Sequence, residues 1–251
     1  MPDPVTPRQN PPIRSTIRPS ASPASIDATT AVFTFVGSWV VAQIVSAIVL
    51  TVIGVEGRVA DAPIGTISLA LVAAWSVYLG GMWIASQRAG TGDPIADYGI
   101  QFRSVDLLGL GIGVLSQLVV INLVYLGLAE FWPDTFTEDR LEENARNLVD
   151  RADGATMLLL VLVVAVGAPV VEELFYRGLL QRSLTTRFND VLVVVGVAAV
   201  FALVHFRPVE YPGLFVFGLI LGTCALRTGR LGMPILAHVG FNATGLVLAA
   251  G

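Results

Sequence analysis

An all-α polytopic membrane protein, a bundle of about seven helices or eight, is the fold this chain predicts, on three observations. Of its 251 residues 54% are hydrophobic and only 14% charged. The mean hydropathy of +0.74 lies well above that of an ordinary soluble domain. Apolar runs near the ~20 residues a helix needs to cross a bilayer fill most of the chain from Ala31 onward, which leaves no room for a separate soluble domain. The net charge of −4 is small, all fifteen basic residues are arginines, and no basic block marks a nucleic-acid surface. The one cysteine, Cys224, excludes an intrachain disulfide and reads as a small buried hydrophobe.

Residues 1–30 contain seven prolines with Arg8, Arg14 and Arg18, a composition that cannot bury enough apolar surface to fold. They read as a disordered cytosolic tail, too long and proline-rich for a signal peptide. Residues 31–251 then form the bundle. The first span covers about Ala31 to Ile53 and the second Ile64 to Ser86, joined by the polar turn Glu56–Asp61. The third, Leu107 to Trp132, carries Gly109-Leu-Gly-Ile-Gly113, a small-residue face for a close helical neighbour, with Gln117 and Asn122 as interhelical hydrogen-bonders. In the hydrophilic connection 133–154, Thr135-x-x-Glu138 fits a capping box, and Leu141, Ala145, Leu148 and Ala152 at helical spacing predict a short surface helix.

The fourth span, Ala155 to Leu184, is ~30 residues and so ~45 Å long, more than a bilayer is thick. It carries Glu172 and Glu173 three and four residues past Pro169, whose missing amide is expected to free the carbonyl of Ala165. The fifth runs from Val191 to His205, the sixth and shortest from Leu214 to Leu226 with Gly218-x-x-x-Gly222, and the seventh from Leu231 to Ala250. With the N-terminus in the cytosol, ten arginines fall on inner segments and five on outer ones, which orients an integral protein of the cell membrane.

A carboxylate at bilayer depth costs at least ~2.5 kcal/mol and is retained for a function. Three polar sites interrupt the C-terminal spans: Glu172-Glu173-x-x-x-Arg177, Phe201-x-x-x-His205 and His238-x-x-x-Asn242, which include both histidines of the chain. Glu172 and His205 are equidistant, to within a residue, from the turn at Asn189-Asp190, so antiparallel helices bring them to one depth. Glu173 and Arg177, at i and i+4, form an ion pair. Glu172, His205 and His238 are donors enough for one divalent metal such as Zn2+, and they would equally serve with none. No HExxH occurs.

These motifs, in this order on successive hydrophobic helices, resemble the CPBP family of intramembrane proteases, also called the CAAX protease and Abi family, which is commonly labelled as metalloprotease. The resemblance covers about Ala155 to Thr244 and implies a catalytic core at 155–245. It implies an intramembrane endopeptidase acting on a membrane-associated protein or peptide. Glu172 would be the base, His205 would orient the water, and His238 and Asn242 would stabilise the oxyanion. Arg177 and Phe201 would support them structurally. A prenylated substrate does not follow from these residues. Two other readings stand beside it: a non-catalytic immunity or scaffold protein that keeps the polar pocket, and a proton or ion pathway built on Glu172, Glu173, His205 and His238.

Overall fold

The structure, a computed structural model, describes residues 26–57 and 59–251, so the tail expected at 1–30 lies outside it as far as residue 25, as does Arg58. Among the described residues there are helices and no strands. Six helices among the described residues are long and apolar enough to cross a membrane: α1 (Ala28–Ile53), α2 (Ile64–Ala89), α3 (Ser104–Phe131), α5 (Gly154–Leu184), α7 (within Pro208–Thr228) and α8 (Gly232–Ala250). The amphipathic α4 spans Glu138–Val149 and the short apolar α6 spans Asp190–Leu203.

Three expectations shift. Helix α1 starts at Ala28 rather than Ala31, because Asp27 caps it, its carboxylate accepting from the amides of Thr29 (2.9 Å) and Thr30 (3.1 Å). Helix α4 is capped by Thr137, not Thr135, through the amide of Arg140 at 3.4 Å. The shortest apolar helix is α6 and not the sixth, since α7 extends over Tyr211–Thr228. At 14 residues α6 reaches ~21 Å, less than the ~30 Å hydrocarbon layer.

Helix α5 runs through the middle of the bundle and touches α1, α2, α6, α7 and α8. Small residues let the surrounding backbones close in. Methyl groups on Gly109 and Gly113 would overlap the carbonyls of Met233 and Ala237 on α8, and one on Gly240 would meet the carbonyl of Leu110. On α7, Gly218 packs against Ala198 of α6. Helix α4 lays Leu148 and Val149 on Leu160 and Leu246, covering the end of the bundle where α5 begins and α8 ends. The opposite end is joined by Asp106 and Arg230, whose guanidinium donates to both carboxylate oxygens at 2.7 and 3.0 Å. There too the amides of Leu231 and Gly232 bond the carbonyls of Gly99 and Gln101.

Candidate active site

Helix α5 is not uniformly α-helical. It passes through π-helical turns at Val161–Gly167 and Leu174–Gln181, on either side of the α-helical stretch Ala168–Glu173 that holds both glutamates. The first decides which carbonyl the proline leaves free. In the π register each carbonyl faces the amide five residues on, as Ala168 N–H does to Val163. Val164 therefore faces position 169, where proline has no N–H. The orphan is Val164 and not the Ala165 expected for an α-helix, and Asn242 from α8 fills the gap by donating its Nδ2 at 2.8 Å.

The two glutamates differ sharply. Glu173 is fully buried, and its Oε1 accepts from Arg177 at 2.7 Å and from His238 Nδ1 at 2.9 Å. A carboxylate held by Arg177 has only lone pairs to offer, so His238 carries its proton on Nδ1 and turns Nε2 the other way. There Nε2 lies 3.9 Å from Glu172 Oε2, on a side chain that keeps 26% of its surface accessible. The imidazole is gripped edge-on by Phe201 and Phe217, with centroids at 5.8 and 5.4 Å.

Arg177 is buried as well, and it is held on several sides. Besides Glu173 it donates to the carbonyl of Gly218 at 3.2 Å and stacks its guanidinium over Phe201 at 4.7 Å. One turn on, Gln181 donates to the carbonyl of Gly222 at 2.8 Å. The Gly218-x-x-x-Gly222 face therefore brings α7 close enough for two side chains of α5 to reach its backbone. Sequence reasoning missed Gln181, although the four-residue spacing of Glu173, Arg177 and Gln181 against two glycines four apart was a visible signal.

His205 is not on α6 but just beyond it. Its own amide turns back to Ala202 at 3.2 Å, and its ring Nδ1 takes the carbonyl of Phe201 at 2.7 Å, so the histidine terminates the helix. A carbonyl accepts only, which puts the proton on Nδ1 and leaves Nε2 as an acceptor. Its ring rests edge-on against Phe201 at 5.0 Å. The following residue, Phe206, takes a left-handed φ of 52° and reverses the chain toward Pro208. Tyr125 of α3 fastens this loop by donating to the carbonyl of Val209 at 2.9 Å.

Glu172, Glu173, Arg177, Phe201 and His238 thus form one cluster, with His205 joined to it through Phe201, while Asn242 stands four residues past His238 on α8 with its amide on Val164. Both histidines spend Nδ1 inside the protein. Among the described residues no three His, Cys, Asp or Glu side chains converge as metal ligands, so the set as arranged does not fit a three-ligand zinc centre.

No curated protein and no solved structure matches the chain. Residues 154–244 match the family model described as type II CAAX prenyl endopeptidase Rce1-like. That segment begins with α5 and ends two residues after Asn242, so it holds all three motifs. The match and the motifs agree with the CPBP and CAAX protease family, and over residues 154–244 this membrane protein is similar to the Rce1-like endopeptidases.

Proposed function

We propose that the protein is an intramembrane endopeptidase in which Glu172 activates water. The observation that carries this is the opposed setting of the two glutamates about one imidazole: Glu173 is buried and committed to Arg177 and His238, while Glu172 is partly open and 3.9 Å from the far nitrogen. A general base must be accessible to the proton it takes, and a committed carboxylate is not.

Glu172 takes a proton from water as the water oxygen bonds to the peptide carbonyl carbon. The Nε2 of His205 accepts the other water hydrogen and aims the oxygen. Asn242 spends one N–H on Val164 and keeps a second for the oxyanion, joined by Nε2 of His238 when that nitrogen carries a proton. Glu172 then returns its proton to the departing amine as the C–N bond breaks. The open carboxylate within the bilayer suits a peptide already associated with the membrane.

The comparison of new protein N-termini in membranes made with and without an intact copy of this gene tests the reading. Cleaved membrane-protein ends found only with the intact gene are the expected result. Identical sets of termini would contradict it and favour the scaffold reading.

A further inference from the structure

The family match begins at residue 154, yet α2 packs against the Ala168–Glu173 stretch and both α1 and α2 against the turns that follow it. Glu172, Phe175 and Tyr176 stand at i, i+3 and i+4 and share one face of α5. The ring of Phe175 is clamped between Phe35 of α1 and Tyr78 of α2, each stacked at 4.4 Å. Tyr176 meets Phe35 edge-on at 5.2 Å. This stack and the packing of α2 on Ala168–Glu173 bring Tyr78 to the side of α5 that carries Glu172, within electrostatic reach of that carboxylate and near the Gln43 side chain.

The stack needs only the ring of Tyr78. A phenylalanine would fill the same space without placing a phenol, or the amide that steadies it, inside two spans of a bilayer. On α1, Phe35, Trp39 and Gln43 follow at four-residue spacing, so the amide lies on the same stripe as the stacking ring.

We infer that Tyr78 is a positioning residue for Glu172: with Gln43 beside it, its hydroxyl hydrogen-bonds the carboxylate through one water and fixes the rotamer in which Glu172 meets the reacting water. This rests on the reading of Glu172 as base. Misplacing a catalytic group by about 1 Å costs as much as 10²-fold in rate, so a single hydrogen bond to a long side chain has a measurable effect.

The test uses the full-length protein in detergent and a synthetic peptide spanning the bond cut in the membrane comparison. Tyr78→Phe keeps the stack, so its thermal midpoint stays at the wild-type value while kcat falls roughly ten- to a hundredfold and KM changes little. Gln43→Leu lowers kcat in the same direction, and adding it to Tyr78→Phe causes no further loss, as expected of two groups acting as one unit. A Tyr78→Phe enzyme with wild-type kcat overturns the inference, as does a loss that tracks a lowered thermal midpoint. Glu172→Gln is assayed beside it. If that variant is active the base reading itself fails, and if it is inactive while Tyr78→Phe is normal only the role of Tyr78 falls.

Discussion

Glu173→Gln is expected to lower the thermal midpoint and the detergent-extracted yield more than any other single change at the site. The carboxylate is fully buried and answers both Arg177 and His238 through one oxygen. Its removal leaves a buried guanidinium without a counter-charge, a defect that costs about 3–5 kcal/mol. Glutamine is nearly isosteric, so packing is not what changes. Its amide can keep an oxygen toward Arg177, but the new NH2 then takes the place of Oε2, which has no hydrogen-bond partner among the described residues. A buried donor without an acceptor adds about 1–3 kcal/mol. Differential scanning fluorimetry in detergent reads the loss directly. A midpoint within two degrees of wild type would mean that the pair is not what holds α5 to α7 and α8.

The second large effect is on rate. His238→Asn is expected to lower cleavage about 10²-fold or more while leaving the fold intact. An asparagine amide nitrogen falls near the place of Nδ1, so the donor to Glu173 is retained, but nothing replaces Nε2 beside Glu172. His238→Gln reverses the substitution, since its longer amide reaches toward Nε2 and abandons Glu173. It should lose more stability than the asparagine variant. The pair of variants, measured for kcat on one peptide and for thermal midpoint, separates the two edges of the ring. Full activity in His238→Asn would show that Nε2 takes no part.

Hydropathy made the bundle readable because spanning helices must satisfy their own backbone in lipid: each expected span corresponds to a helix with ends shifted by a few residues, although the fifth, α6, is too short to cross. Ends were less readable, since caps decide them. Asp27 extends α1, and His205 stops α6 with its own side chain, a role no periodicity announces. The ion pair of Glu173 with Arg177 followed from spacing alone. The bond from Asn242 to Val164 did not, because it depends on the π register that precedes Pro169. Tyr78 lay beyond sequence reasoning for a different reason. Its place against Phe175 is a tertiary consequence of three stacked rings drawn from three helices.

The central claim is that the two adjacent glutamates divide the work, Glu172 doing chemistry and Glu173 holding the site. It is tested most directly by the cleavage rate of purified Glu172→Gln on the peptide cut by the wild type, with thermal midpoints measured on the same samples. The account predicts a midpoint within about two degrees of wild type and a rate lowered by about 10²–10⁴-fold, the usual contribution of a general base. A well-folded Glu172→Gln enzyme cleaving at the wild-type rate would contradict it.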